Sequence, residues 1–239
     1  MNAELLNAVH VAGILAIIGV LLYTIGDILL LAANVGARLD PSTIHVDISI
    51  YPELKRRVKL YRVIAGMPWR RLAWGGLLGV FAAPLTLAGA WQIAQGLSPA
   101  GGWLALPPAV LLVYAAVVGP FIHGSFIYLG ENSQALNAVS VDSRSVLIGA
   151  LVRQQKVMAI GYVVIFACNL VASIWYSVVV ASGRTFFPTW MAAFNPVTLT
   201  LAYFVVRKIA PKKVADAVEG SGFNLAYLAF YALTTATLW

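Results

Sequence analysis

Of the 239 residues, 61% are hydrophobic and only 10% are charged, and the mean hydropathy is +0.85. A soluble domain carries about 25% charged residues, so a globular chain of this composition has too few charges to cover its own surface and needs lipid as solvent. The net charge of +7 could suit nucleic acid, but the basic residues flank apolar runs, as an anionic lipid surface selects, and a nucleic-acid partner is excluded on that ground.

The expected architecture is all-α: one polytopic integral membrane bundle over residues 1–239, with about six transmembrane helices and no separate soluble domain. The apolar runs lie at about 5–33, 72–96, 106–130, 157–182, 188–206 and 222–239. A spanning helix needs ~20 apolar residues, so the last two are short. The first run is too long for the core of a secretory signal, and no Lys or Arg precedes it.

Between the first two runs lies the longest polar segment, Arg38 to Arg71. It opens on the turn or cap signal Asp40-Pro41-Ser42-Thr43. Alternation over Ile44–Ile50 then puts His45, Asp47 and Ser49 on one face. From about 52 to 66 the pattern is a basic amphipathic helix, with Leu54, Val58, Tyr61 and Ile64 opposite Lys55, Arg56, Lys59 and Arg62. Such a helix is expected to lie along the membrane surface. Arg144, Arg153 and Lys156 around Val146, Ile148, Leu151 and Val152 predict a shorter version before the fourth run.

Loops one, three and five carry eight, three and four Lys or Arg, whereas loop four carries only Arg184 and loop two and both ends carry none. The positive-inside bias therefore puts the odd loops in the cytoplasm and both termini outside, in a bacterial cytoplasmic (inner) membrane. Trp91, Trp103, Trp190 and Trp239 fall at the outer ends of the spans, and Trp69 and Trp74 at the inner ends. Pro84, Pro120 and Pro196 read as lying inside spans two, three and five, where each removes a backbone hydrogen bond and kinks its helix.

Asp27, in Tyr23-Thr24-Ile25-Gly26-Asp27, is the most informative residue. A carboxylate in a span costs several kcal/mol unless it is paired, hydrated or protonated. It is either a ligand contact, proton carrier or catalytic group, or a structural partner for Arg70 or Arg71. His123 lies about 10 Å from the cytoplasmic end of span three, and Asp27 about 9 Å from that side, at 1.5 Å per residue. The two share a depth on different helices, and the pair could act as general acid and base or simply hydrogen-bond. Pro120, Gly124 and Ser125 shape the wall beside His123. Glu131 and Asn132 at the end of span three and Asn224 at the start of span six face the same mouth.

The candidate ligand-binding set is thus Tyr23, Asp27, His123, Ser125, Asn132 and Asn224. Asp27, His123 and Glu131 are the candidate catalytic groups, and no metal site is assigned. Asn169 and Asn195 read as interhelical packing groups, worth about 0.6 kcal/mol each. His10 is seventeen residues from Asp27, about 25 Å along a helix, and cannot join it. His45 and Asp47 could fold against the mouth. Three histidines at three depths do not make a metal hydrolase, and the lone Cys168 allows no internal disulfide. No phosphate-binding loop, serine elbow, zinc helix or haem motif occurs, so the cofactor stays unknown.

Five pieces in order resemble a bacterial family of small six-helix membrane proteins classed only as a domain of unknown function. They are Gly26-Asp27-Ile28-Leu29-Leu30, Trp69-Arg70-Arg71, His123-Gly124-Ser125-Phe126-Ile127-Tyr128, Phe187-Pro188-Thr189-Trp190 with Phe194-Asn195-Pro196, and Gly222-Phe223-Asn224-Leu225. The resemblance implies a shared helical fold and draws attention to the Asp, His and Asn positions, but implies no activity. The Gly-Asp-x-x-Leu piece alone is similar to lysoplasmalogenase-type membrane hydrolases.

Three function classes follow. Binding of a lipid or other amphiphile fits an apolar interior with a few convergent polar groups. A membrane-embedded lipid hydrolase would use Asp27 and His123, supported by Glu131 or by His45 and Asp47. A proton-coupled small transporter would use Asp27 but needs polar groups across the membrane, and the outer half reads as nearly bare. Membrane lipids are the expected partners, and a homo-oligomer is left open.

Overall fold

The computed structural model describes residues 2–32 and 58–239. Among these the chain is all-α, with eight helices: α1 (Ala3–Leu31), α2 (Val58–Ala65), α3 (Trp69–Leu97), α4 (Gly102–Ala138), α5 (Val141–Ala181), α6 (Pro196–Ile209), α7 (Lys212–Ala217) and α8 (Gly222–Leu238). Short 3₁₀ turns, Ser98–Ala100 and Thr189–Ala193, follow α3 and precede α6. Segments covering α1, α3, α4 and α5 are long and apolar enough to cross a membrane. The 14 residues of α6 and 17 of α8 reach only about 21 and 26 Å, against a hydrocarbon core of ~30 Å.

The faces of α1 show how the chain sorts itself. Val11, Ile14, Ile18, Leu21 and Ile25 point outward at helical spacing. Ala12, Ala16, Val20, Tyr23 and Asp27 point inward. Both faces are largely apolar; what separates them is size and polarity, as expected where lipid removes the hydrophobic drive between helices and close packing replaces it. The small inner residues let α3 approach closely. A Cβ on Gly26 would lie 2.8 Å from the Gly75 carbonyl oxygen.

The capping of α1 also orders its surroundings. The Asn2 side chain accepts from the Leu5 N–H at 2.9 Å, with Glu4 in the first turn, a polarity that suits the helix dipole. At the other end Arg71, on α3, donates through Nε to the Leu29 carbonyl and through an Nη to the Ala32 carbonyl, both at 2.6 Å. Helix ends leave such carbonyls without internal partners, so Arg71 acts as a cap supplied by a neighbouring helix.

Packing runs from α5 through α4, α3 and α1 to α8, with α6 against α8 and meeting α5 again. One core gathers around Ala16, Ile93, Tyr176, Met191 and Phe230, and a second around Leu30, Tyr61, Ile64, Leu72, Leu129 and Leu151. His10 Nε2 donates to the Leu238 carbonyl at 2.8 Å and the ring stacks on Trp239, so the start of α1 and the end of α8 lie side by side.

Several sequence expectations change. The basic segment Arg144–Lys156 is no separate amphipathic helix but the first part of α5, which is 41 residues long. Likewise α4 continues from the apolar run to Ala138, 37 residues in all. Hydropathy marks only the apolar part, and no proline interrupts either extension. Pro196 does not kink a span. It occupies the first turn of α6, where Asn195 accepts from the Val197 and Thr198 N–H groups and Thr198 Oγ1 accepts from the Asn195 N–H, forming a capping box. In the described part of the loop-one helix, Tyr61 and Ile64 are fully buried in the second core. That apolar face therefore packs on protein rather than on a membrane surface. Its residues 52–57 lie outside the described part.

Candidate functional site

Asp27 and His123 project inward from α1 and α4 and are 8% and 7% exposed. The His123 Nε2 lies 3.7 Å from Asp27 Oδ1, an ion-pair distance but too long for a direct hydrogen bond. On the other carboxylate oxygen, Asn224 Nδ2 donates to Asp27 Oδ2 at 2.6 Å. Asn224 is placed there by the first turn of α8, which starts after the turn at Gly220 (φ 89°). That backbone region is open to glycine without strain.

The His123 ring lies against Gly79 of α3, whose missing side chain makes the room. Its other face meets Tyr23, with ring centroids 4.9 Å apart and planes tilted by 48°. The Gly75 backbone carbonyl approaches the ring, yet the buried His123 Nδ1 has no hydrogen-bond partner. The Tyr23 hydroxyl is also buried and unpartnered. Buried polar atoms are as a rule hydrogen-bonded, so two unpartnered ones side by side call for a specific explanation.

These groups border a cavity of about 180 Å³ at the centre of the bundle. Its walls come from α1, α3, α4, α5 and α8, with Thr86, Asn169, Tyr227 and Tyr231 beyond the Asp27 level. Tyr227 donates to the Asn169 carboxamide oxygen, and Asn169 Nδ2 donates to the Ile165 carbonyl at 2.7 Å. Beside it lies a larger groove of about 610 Å³, bordered by α2, α6 and the turn before α8. The two spaces share Leu31, Phe166, Gly220 and Phe223 as boundary. At the rim of the groove, Arg207 and Glu219 approach to 3.7 Å.

Four of the six candidate ligand-binding residues, Tyr23, Asp27, His123 and Asn224, are thus brought together. Ser125 and Asn132 belong elsewhere: Gln154 of α5 donates to the Ser125 carbonyl at 2.8 Å, and Asn132 donates to the Gln154 side-chain oxygen at 3.4 Å. Neither lines the cavity. Glu131 is exposed, accepts from Trp69 Nε1 at 3.1 Å, and lies eight residues beyond His123, about 12 Å along α4. It is not part of the Asp27 cluster. His45 and Asp47 lie outside the described residues.

Arginine does not neutralise Asp27 among the described residues. Arg71 is committed to the end of α1, and Arg70 is exposed. No three His, Cys, Asp or Glu side chains gather as a metal site among the described residues.

Thr86, Tyr227 and Tyr231 were not among the sequence candidates. The signal for the two tyrosines was present in the spacing Asn224, Tyr227, Tyr231, which puts three polar heads on one face of α8. Asn169, read as packing, also reaches the cavity. Farther along, Gln92 Nε2 donates to Thr235 Oγ1 at 2.9 Å in a fully buried position, with Gln92 Oε1 unpartnered. The half of the bundle between His10 and Asp27 is therefore not bare.

Comparison with curated proteins and with solved structures finds no match. The description of a family of unknown function, DUF6796, matches residues 1–238. It spans both the helices that build the cavity and the residues that line it, and the chain belongs to that family.

Proposed function

We propose that this is a membrane protein that binds a lipid or other amphiphile, with its polar end at Asp27, His123 and Asn224 and its apolar part in the adjoining groove. The observation that supports this most is the shared boundary at Leu31, Phe166, Gly220 and Phe223 between a small polar-ended cavity and a larger groove. Ligand sites are mostly apolar with a few convergent polar groups, and this one offers both parts in sequence. In this reading the bundle crosses the bacterial inner membrane six times, α6 and α8 being the short spans. Both termini lie outside, and the Asp27 site opens toward the cytoplasmic side, as the distribution of Lys and Arg favours. Membrane lipids are the natural source of the amphiphile.

Hydrolysis is the second reading. Asp27 beside His123 resembles a base with its orienting group, but a reaction also requires an activated nucleophile and a group to receive developing charge. Glu131, the candidate support among the described residues, does not line the cavity. Proton-coupled transport gains from the buried Tyr227–Asn169 and Gln92–Thr235 pairs, which extend polar groups toward the His10 end. Native mass spectrometry of protein extracted in mild detergent separates these readings. Binding predicts an intact co-purifying amphiphile that is lost in Asp27→Asn. Release of a cleaved product that stops in His123→Ala would instead establish the hydrolase. Proton uptake by proteoliposomes driven by a solute gradient would establish the transporter.

A further inference from the structure

Among the described residues, the lining of the Asp27 cavity carries no lysine or arginine. A buried carboxylate is costly without a counter-charge or a full set of hydrogen bonds. Asn224 supplies one hydrogen bond, while His123 stays at 3.7 Å and Arg71 is turned to the end of α1. The cavity wall is rich in aromatic rings. Tyr162, Phe166, Phe223, Tyr227 and Tyr231 follow one another with centroids 5.1–6.0 Å apart, and Tyr23 faces them from α1. The Phe166–Phe223 contact is edge-to-face, at 90°.

Aromatic faces carry negative charge density and attract cations, by about 0.5–1 kcal/mol at exposed sites and ~2 or more when desolvated. An aromatic wall with one carboxylate at its end is the chemistry that recognises an ammonium group. Size agrees: an apolar cavity of ~150 Å³ takes benzene, and about 180 Å³ here suits a trimethylammonium or small alkylamine head but not a whole lipid. The remainder of a longer molecule would continue past Gly220 and Phe223 into the larger groove.

We infer that the cavity binds a cationic amphiphile, an alkylamine or quaternary ammonium compound, with the positive head against Asp27 and inside the aromatic wall. This rests on the amphiphile-binding reading above and specifies the charge of the head. Anionic heads are disfavoured by Asp27 itself. An uncharged head loses both the ion pair and the attraction to the rings.

The test uses three probes of similar shape and different charge: choline, 3,3-dimethylbutan-1-ol and 3,3-dimethylbutanoate. Titration calorimetry on the full-length protein in maltoside detergent measures each. The expected result is binding of choline at least about tenfold tighter than the neutral alcohol, with no heat from the carboxylate. Asp27→Asn should reduce the preference for choline to near unity, and Phe223→Leu should weaken choline by about three- to tenfold more than it weakens the alcohol. Phe223→Leu keeps the test informative if Asp27→Asn fails to fold. Equal binding of choline and the alcohol, tighter binding of the carboxylate, or absence of binding by all three overturns the cation assignment. Retention of an intact neutral or anionic amphiphile in native mass spectrometry would overturn it too, yet leave the amphiphile reading standing. Loss of both would remove the two together.

Discussion

The imidazole of His123 occupies the space that a side chain on Gly79 would fill. The position of the histidine is therefore set by a missing group on a different helix. Gly79→Ala should push the ring away from Asp27 and lower stability by about 1–3 kcal/mol, the usual cost of overpacking a tight interior. Thermal unfolding in detergent measures this, and ligand retention should fall with it. An unchanged midpoint would show that the ring is not held there.

A second prediction separates structure from binding. Arg71→Gln removes charge-assisted hydrogen bonds from the carbonyls that end α1, each worth about 1.5–3 kcal/mol. Stability should drop by roughly that amount while the affinity of the Asp27 site for its ligand is kept in the folded fraction. Arg70→Gln, at an exposed position, should stay within about 0.5 kcal/mol of the parent. If instead Arg71→Gln were silent in unfolding and abolished binding, Arg71 would be the counter-ion of Asp27 after all.

Much of this was legible before any coordinates. Asp27 and His123 were read as sharing a depth because helical rise alone fixes how far each lies from the end of its run. Asn224 was placed farther down, at the mouth with Glu131 and Asn132, and of those three it alone reaches Asp27. What hydropathy could not reveal was where helices end: neither Asn132–Ala138 nor Arg144–Lys156 contains a proline, and the Arg, Gln and Lys of the second are good helix formers, so α4 and α5 run past the apolar segments. Tyr227 and Tyr231 escaped notice because tyrosine reads as one more apolar residue in a membrane run, although its hydroxyl gives it a polar end. Ser125 and Asn132 were misplaced by depth reasoning, which ignores direction. They follow His123 by two and nine residues, about 200° and 180° around α4 at 100° per residue, and so turn toward Gln154.

A third prediction concerns the boundary between cavity and groove, which the proposed ligand crosses. Gly220 borders both, its φ is +89°, and a Cβ there would strike Leu31. Gly220→Val should cost about 1–3 kcal/mol from backbone strain and bar a chain from crossing that boundary. Long-chain amphiphiles should then lose binding, while choline-sized probes keep theirs after slower entry. Equal effects on short and long probes would mean that the groove does not receive a tail.

The orientation is tested separately. On a Cys168→Ser background, Ile50→Cys should react with an impermeant maleimide only after the membrane is opened, because the Arg38–Arg71 segment is assigned to the cytoplasm by its eight Lys and Arg. Labelling from outside intact cells would invert the topology and place the Asp27 site toward the opposite face.

The most direct test of amphiphile binding is an experimental map of the full-length protein purified in mild detergent and placed in lipid nanodiscs. The account predicts continuous density that begins between Asp27 and Asn224, passes Phe223 and Gly220, and runs into the groove beside Tyr203 and Arg207. Its head should lie within hydrogen-bond or ion-pair distance of the Asp27 carboxylate. An empty, water-filled cavity with all lipid confined to the outer surface of the bundle would contradict it.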